Sequence, residues 1–187
     1  MNILPRISDT LYHGKIDFFS SVDVTKGKSN KDFGKGFYMA LEKSQAIGMM
    51  NKKFGEAVRR TRSKDPNQFS KHLYEIKLNR EVIPNLKIKY FTDADMEWLD
   101  FVLKCRDCET VPHDYDLVIG PTADDNTTLC LKYYKDGVYG KVGSYEAKEL
   151  LLKNLEVENL GIQYFIGKQH IADKLIKNFH EIDWRRI

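Results

Sequence analysis

Two short segments of the sequence carry residues that can bind a flat, polar ligand. The first contains His13 and Gly14, and the second spans residues 32–38, Asp-Phe-Gly-Lys-Gly-Phe-Tyr, ending at Tyr38. An imidazole donates or accepts a hydrogen bond through either ring nitrogen, and a tyrosine ring offers a flat face for stacking. Each residue alone is also typical of a structural histidine or a core tyrosine. Together they form a candidate site for a flat, polar ligand.

The elements predicted around these residues place them at the ends of two strands. Residues 10–14 are predicted to form a strand that ends in a turn, and residues 37–40 form a second strand. The polar stretch 15–35 between them is predicted to be a long loop, a kind of segment that is usually functional or disordered. Apolar residues then repeat at helical spacing from about Ser44 to Arg62, which predicts a helix.

The rest of the chain predicts strands separated by isolated helices. Strands are expected over residues 72–78, 86–91, 115–121 and 162–166, and the segment 127–134 is ambiguous between helix and strand. Thr92 and Ser144 are each expected to cap a helix. A short helix is expected near residues 171–176, followed by an extended C-terminal segment. This order favours an α+β fold over a doubly wound sheet, and no linker divides residues 1–187, which predicts a single domain.

Composition narrows the class of protein. The 187 residues carry 30 Lys and Arg against 27 Asp and Glu, a net charge of +3, which is too small for a dedicated nucleic-acid binder. No apolar run approaches the roughly 18 residues that a membrane span needs, and no secretory signal is evident. The 3 cysteines imply no disulfide framework, so we expect a cytoplasmic protein without membrane partners. Cys105, Cys108 and His113 do not complete a zinc site, and we expect no metal.

Five segments together resemble a known superfamily. The sequence is similar to the ADP-ribosyltransferase superfamily in its His–Tyr–Glu branch, which includes diphtheria toxin and poly-ADP-ribose polymerases, and more closely to the bacterial family DUF3990. The resemblance is carried, in order, by residues 11–14, 32–38, 97–102, 116–121 and 123–125. It implies split antiparallel sheets with peripheral helices. It also implies NAD as the substrate, cleavage of the bond to nicotinamide, and transfer of ADP-ribose.

The resemblance implies a role for each residue of the motifs. His13 would bind a ribose hydroxyl, Gly14 would offer its backbone to the nicotinamide carboxamide, and Tyr38 would stack on the nicotinamide ring. The NAD-binding loop would contain Phe33, Gly34, Lys35 and Gly36. Polymerases enclose the ring with a second tyrosine about three helical turns later, where this sequence has Met49 and Met50.

The third catalytic residue departs from the superfamily pattern. The superfamily glutamate begins a late strand, and the matching position here is Gln163. A glutamine can accept the hydrogen bond from the ribose 2′-hydroxyl but brings no negative charge, and removing one preorganised electrostatic partner can slow a reaction by about 10² to 10³. Asp124 and Asp125 are candidate substitute carboxylates that would contact the cofactor; capping of the following helix is an equally good reading.

Three functions therefore stay open at the level of sequence. The first is an ADP-ribosyltransferase that acts on a protein, a nucleic acid or water. The second is a catalytically degenerate module that binds NAD or a related nucleotide. The third is a nucleic-acid-associated protein using the basic residues of the segment 52–64. These residues are more typical of a solvated helix face than of contacts to NAD phosphates or a nucleic acid. Roles in toxin or phage-defence systems are family analogy alone.

Overall fold

A computed structural model describes residues 7–61, 69–123, 125–155 and 161–185, without the side chains of residues 125 and 126. The strands are β1 (Thr10–Lys15), β2 (Phe37–Ala40), β3 (His72–Leu78), β4 (Ile88–Tyr90), β5 (Leu117–Pro121), β6 (Ile162–Ile166) and β7 (Ile176–Ile182). The α-helices are α1 (Lys43–Thr61), α2 (Met96–Arg106), α3 (Asp125–Lys135), α4 (Tyr145–Asn154) and α5 (Gln169–Leu175). The mixed α+β class predicted from the sequence is confirmed.

The strands form one sheet in the order β4-β5-β6-β2-β1-β3-β7. The neighbouring strands are antiparallel except β4 and β5, which are parallel. Strands that are far apart in sequence become neighbours, because β6 inserts between β5 and β2. Residue 163, late in the chain, thereby comes next to the strand that follows the first long loop.

The junction between β1 and β2 is the thinnest part of the sheet. Among the described residues the two strands pair at one position, Tyr12 with Ala40. By contrast, β1 pairs with β3 along its whole length, from Thr10 to Lys15, and β2 pairs with β6 from Phe37 to Ala40. We call this β1–β2 junction the seam. It divides the sheet into a β4-β5-β6-β2 part and a β1-β3-β7 part.

Alternation along the strands buries both faces of the sheet. One face carries Leu11, Met39 and Tyr164 in an apolar cluster with α5 and residues of the 15–35 loop. The other face carries Phe165 and Val118, which pack against Trp98 of α2 and apolar residues of α3 and α4. Helix α1 packs on this second face over the seam, where its Ala46 contacts a third cluster that includes Ala40 and Leu73.

Several sequence-based boundaries are corrected by the structure. Strand β1 does not turn at Gly14 but continues to Lys15, because Lys15 still pairs with His72. The cap predicted at Thr92 is wrong: helix α2 is capped by Asp95, whose carboxylate accepts the Trp98 N–H at 2.9 Å. The carboxylate acceptor lies beside the first turn, whereas Thr92 is too far upstream to reach its N–H groups.

Other expectations are confirmed at the level of single elements. The ambiguous segment 127–134 lies in helix α3, and the extended C-terminal segment is strand β7. Ser144 caps α4 as expected, since its hydroxyl accepts the Ala147 N–H at 3.2 Å. None of the described helices combines the length and apolarity that crossing a bilayer would require.

Candidate functional site

A narrow cleft lies between α1 and the sheet at the seam. It is lined by four residues singled out from the sequence, His13, Gly14, Tyr38 and Gln163, with Tyr12, Met39 and Ala40 beside them and Gln45, Ala46, Met49 and Lys53 contributed by α1. The cavity measures about 40 Å³, which is room for only a few water molecules. Three segments that are distant in sequence thus meet around one small space.

His13 bridges the seam through its imidazole. Its Nδ1 lies 2.7 Å from the Tyr38 carbonyl oxygen, and its ring packs on Phe37 at 4.7 Å between centroids. A carbonyl only accepts, so Nδ1 carries the hydrogen. Burial, together with the charges of Lys53 and Lys15, lowers the pKa of His13 to about 4. The imidazole is therefore neutral near pH 7, and its Nε2 has a lone pair that can accept a hydrogen bond.

Gly14 allows the helix to lie against the strand. A Cβ atom at this position would lie 2.2 Å from the Ala46 carbonyl oxygen and 2.8 Å from the Met50 Cβ. Any side chain would therefore push α1 away from β1. The glycine predicted to give a ligand access to backbone also has this packing role, and its own backbone lines the cleft.

Tyr38 is held rigidly by the loop that precedes it. Its hydroxyl donates to the Gly34 carbonyl at 2.7 Å and accepts the Phe33 N–H at 3.0 Å. Its ring packs on Phe165 at 5.0 Å between centroids. Burial, and then the charge of Asp32, raise the pKa of the phenol well above its ordinary value. The hydroxyl is thus fully used by the protein, which leaves the ring itself as the part that can contact a ligand.

The Gln163 side chain is fixed by a buried carboxylate. Its Nε2 donates to Asp32 Oδ2 at 2.8 Å and to the Pro121 carbonyl oxygen at 3.2 Å. Because both partners only accept, the orientation of the amide is determined: the NH₂ group faces them and Oε1 is left for another donor. Gln163 is therefore a neutral hydrogen-bond acceptor among the residues lining the cleft.

Asp32 is itself saturated with hydrogen bonds. Its Oδ1 accepts from Arg106 Nε at 2.9 Å and Nη2 at 2.6 Å, and its Oδ2 accepts from the Ala123 N–H at 2.9 Å in addition to Gln163. The side chains of Asp32 and Arg106 are only 7% and 15% exposed. This buried ion pair connects α2 with the loop before β2 and positions the Gln163 amide. Both oxygens of Asp32 are therefore occupied by hydrogen bonds within the protein and are not available to a ligand.

The remaining predicted residues support the site from outside the cleft. Phe33 is fully buried, and Gly34 has a φ of +99°, in the left-handed region that favours glycine. Gly36 lets the chain pass under β6, because a Cβ there would lie 2.4 Å from the Ile166 carbonyl oxygen. Lys35 is half-buried and does not line the cleft.

The two aspartates proposed as substitute carboxylates cannot be placed in the site. Asp124 lies outside the described residues, and Asp125 begins α3 with its side chain outside the description. No carboxylate occurs among the described residues that line the cleft. Of the basic residues expected along 52–64, Arg62 and Lys64 also lie outside the described ranges.

Sequence reasoning missed Gln45, which contributes an unpaired polar atom. Its Nε2 donates to the Thr122 hydroxyl at 2.7 Å, while its Oε1 is buried without a partner, alone in this among the side chains that the structure describes. An unpartnered buried amide is costly unless a ligand or water satisfies it. Its i, i+4 spacing from Met49 on α1 was the available signal, but helical spacing alone does not separate a lining residue from a packing one.

Arg106 was also missed, because its partner Asp32 is 74 residues away in sequence. His113 has a structural role, because its Nε2 lies 2.9 Å from the carbonyl oxygen of Phe33 in the loop before β2. Within the described ranges, no group of three or more His, Cys, Asp and Glu side chains is arranged to hold a metal ion. The cleft is therefore lined by neutral hydrogen-bonding groups, two tyrosines and two methionines, together with the cationic Lys53.

Comparison with known proteins agrees with the resemblance at the family level. No curated protein matches the chain. One protein family matches residues 10–177, which include every described element from β1 to α5 and all the residues of the cleft; it is described as a protein of unknown function, DUF3990. Because the match spans most of the sequence, the chain belongs to the DUF3990 family.

Proposed function

We propose that the cleft binds NAD⁺ and that the protein is an ADP-ribosyltransferase-like enzyme that breaks the N-glycosidic bond to nicotinamide and passes ADP-ribose to an acceptor. One observation carries the proposal: His13, Gly14, Tyr38 and Gln163, chosen from the sequence by resemblance, line a single cleft. They come from β1, β2 and β6, which are adjacent only in the folded sheet. The described strands form one sheet, and the thin pairing at its seam is the feature that is compatible with the split antiparallel sheets implied by the superfamily resemblance.

The nicotinamide ring would lie between Tyr38 and Met49. Met49 lines the cleft and is 40% exposed, whereas Met50 is fully buried. Met49 would therefore take the position where polymerases have a second tyrosine. A thioether on a flexible chain packs well on an aromatic ring. The present cavity is too small for the ring, so Met49 and Lys53 on α1 must swing outward when the ligand enters.

Ribose binding would use two acceptors of different kinds. The neutral His13 offers Nε2, since its Nδ1 is committed to the Tyr38 carbonyl. Gln163 offers Oε1, since its NH₂ group is committed to Asp32 and Pro121. Sugar hydroxyls can donate to both. The arrangement suits a diol better than an anionic group, because these two groups carry no positive charge near neutral pH.

The reaction would be slower than in a site with a carboxylate at position 163. Breaking the N-glycosidic bond leaves positive charge on the ribose, and a neutral amide oxygen stabilises that charge less than a carboxylate. The Asp32 carboxylate that holds Gln163 does not line the cleft and is paired with Arg106. We expect turnover to be lower by about 10² to 10³ than with an ionised acid at this position.

A second candidate function is nucleotide recognition without turnover. The observation that favours it is the fixed Gln163 amide, which is built into a buried hydrogen-bond network and leaves the cleft without an acidic lining residue among those described. Both candidates share the same ligand. They differ in whether nicotinamide is released.

Paired histidine substitutions test the binding mode. His13→Asn retains a donor at the place of Nδ1 and loses the acceptor at Nε2, whereas His13→Gln can retain a polar group at the place of Nε2. We expect calorimetric NAD⁺ affinity to fall about tenfold in His13→Asn and less in His13→Gln, since one hydrogen bond contributes about 0.5–1.5 kcal/mol. His180→Asn, on exposed β7, is the matched control.

Nicotinamide release then separates the two candidates. Release by the wild-type protein that is lost in His13→Asn supports the transferase. Binding without any release favours the recognition module. Failure of NAD⁺, ADP-ribose and nicotinamide to bind at millimolar concentration would refute both.

A further inference from the structure

Two lysines lie near His13 of the cleft, one on α1 and one on β1. Lys53 lines the cleft from α1, and Lys15 directly follows Gly14 on β1, with its ammonium 4.9 Å from the centre of the Phe19 ring. The Phe19 ring in turn lies 5.6 Å from the His13 ring. Lys15 and Lys53 therefore approach the same histidine from two elements.

The 15–35 loop adds two further cations. Gly27 packs directly on Gly36, where a Cβ on Gly27 would lie 2.2 Å from the Gly36 carbonyl oxygen, and this contact carries Lys28 to the start of β2. Lys31 precedes Asp32, the carboxylate that holds Gln163, and its carbonyl accepts the Gly34 N–H at 3.0 Å. We call Lys15, Lys28, Lys31 and Lys53 the lysine cluster.

Among the described residues, no ion pair neutralises the charge of the lysine cluster. Within the described ranges no ion pair involves its four members, whereas Lys89, Lys135, Lys148 and Lys168 each pair with an aspartate or glutamate. Asp32, the acid next to Lys31 in sequence, is taken by Arg106, and the nearby Glu56 lies at 4.0 Å from Arg60.

Mutual repulsion lowers the pKa of two members of the cluster, Lys31 and Lys53. Partial burial, and then the charges of Lys31, Lys28 and Lys15, lower the pKa of Lys53. Burial, Arg106, Lys28 and Lys52 lower the pKa of Lys31, against the opposing effect of Asp32. Converging cations raise the free energy of the empty protein, and a bound anion would relieve that cost.

We propose that the lysine cluster is an anion subsite that takes the diphosphate group of a ligand whose neutral, hydroxyl-bearing end occupies the cleft. This inference rests on the proposed function for the identity of the neutral end, but the anion subsite itself follows from the cluster and the cleft. The division of charge carries it: the neutral His13 and Gln163 line the cleft, while Lys53 lines it from α1 and Lys15 lies against Phe19, whose ring contacts His13. A diphosphate matches several separate ammonium groups better than a single carboxylate does.

The test compares two charge-matched double variants of the full chain. Lys31→Ala with Lys53→Ala removes two exposed members of the cluster, and Lys174→Ala with Lys177→Ala removes two exposed lysines of α5 and β7. Inorganic pyrophosphate, NAD⁺ and a single-stranded oligonucleotide are titrated calorimetrically into each protein. We expect pyrophosphate and NAD⁺ to bind at least about tenfold more weakly to the cluster variant and unchanged to the control.

The His13 imidazole reports where the anion binds. Because Lys53 and Lys15 lower its pKa, a bound anion should raise that pKa from about 4, by about one pH unit. An NMR titration of the wild-type protein with and without pyrophosphate measures the shift. No shift on saturation would place the anion elsewhere and overturn the subsite.

The outcomes distinguish the subsite from the proposed function. If pyrophosphate and NAD⁺ bind equally weakly to both double variants, the lysines act only through the overall charge of the protein. If NAD⁺ binds the cluster variant as tightly as the wild-type protein, its diphosphate binds elsewhere. Either result overturns the anion subsite and leaves the proposed function untouched. Pyrophosphate binding at the cluster without NAD⁺ binding supports the anion subsite and refutes the proposed function. An oligonucleotide that displaces pyrophosphate, with affinity falling steeply as salt rises, would make the cluster a nucleic-acid surface and overturn the inference.

Discussion

Replacing Gln163 with glutamate places a second carboxyl group beside the Asp32 carboxylate. In the native protein, Gln163 Nε2 donates to Asp32 Oδ2 at 2.8 Å, and the substitution turns this donor into an acceptor. Two ionised carboxylates about 3 Å apart repel by about 5 kcal/mol at an effective dielectric constant of about 20. The variant has a less costly alternative, which is to keep the introduced carboxyl protonated so that its O–H donates to Asp32.

The cost of keeping the introduced carboxyl protonated determines how much the substitution destabilises the fold. Holding a carboxyl protonated at pH 7, when its unfolded-state pKa is about 4.3, costs about 4 kcal/mol, which is less than the repulsion. The folded-state pKa of the introduced carboxyl is therefore raised. A raised pKa leaves stability intact below about pH 4 and removes it as the pH rises. We expect Gln163→Glu to match the wild-type free energy of unfolding near pH 4 and to fall about 4 kcal/mol below it at pH 7.

Urea denaturation followed by circular dichroism at pH 4, 5.5 and 7 measures this difference. Gln169→Glu is the comparison variant, since the half-buried Gln169 also donates through Nε2 to an aspartate, Asp173, in a hydrogen bond where solvent screens the repulsion between carboxylates; its Nε2 donates to the Val22 carbonyl as well. Its loss of stability should change by no more than about 1 kcal/mol between pH 4 and pH 7. A Gln163→Glu penalty that is the same at pH 4 and pH 7 would refute the contact between residues 163 and 32.

The same reasoning governs any attempt to restore the superfamily acid. In the single variant the introduced carboxyl is protonated at pH 7 and brings no charge to the cleft. Combining Asp32→Asn with Gln163→Glu exchanges the carboxylate and the amide, so that the charge moves to position 163. We expect nicotinamide release from NAD⁺ to rise in the double variant and not in the single one.

Three further outcomes are expected from the packing and charge of the site. Arg106→Met should destabilise the fold by about 3–5 kcal/mol in urea denaturation, because it leaves a buried carboxylate without its cation; a loss below about 1 kcal/mol would contradict the burial of the pair. Gly14→Ala should destabilise by about 1–3 kcal/mol because its Cβ meets an α1 carbonyl, whereas Gly48→Ala, with open space around its Cβ, should stabilise by about 0.5–1 kcal/mol; equal effects would argue against close packing of α1 on β1. The low pKa of His13 means that the unfolded chain takes up a proton that the folded protein refuses, so stability should fall by up to about 3 kcal/mol from pH 6.5 to pH 4. That dependence should be reduced in His13→Asn, and an unchanged pH profile in this variant would exclude a buried neutral imidazole.

The sequence predicted individual strands and helices better than it predicted which strands lie side by side in the sheet. Local signals are sufficient for β3 over residues 72–78 and for the Ser144 cap, because alternation and a capping hydroxyl act over a few residues. The strand order is not local. No short-range pattern tells that β6 inserts between β5 and β2, or that β4 runs parallel to β5.

The residues of the candidate site could be predicted where residue type and spacing along the chain identify them. His13, Gly14 and Tyr38 could be selected from motif residues, and Gln163 from the order of the strands. The network behind them could not, because Asp32 finds Arg106 and Gln163 only after three distant segments pack together. Gln45 was equally hidden, since an unpaired amide is defined by the surroundings that the fold gives it.

The seam has a mechanical consequence. On either side of it the strands are laterally bonded, β1 to β3 and β2 to β6. Across it, among the described residues, strand pairing is limited to Tyr12 with Ala40, and the His13 side chain adds a hydrogen bond to the Tyr38 carbonyl. The sheet therefore has a built-in line of weakness that can part slightly without breaking the ladders of either flank. A ligand bound in the cleft would contact both parts of the sheet and α1, and it would hold the two parts together across the seam. Amide hydrogen exchange near residues 13–15 and 37–38 should slow on its arrival, and this stiffening would be the most direct physical sign of occupancy.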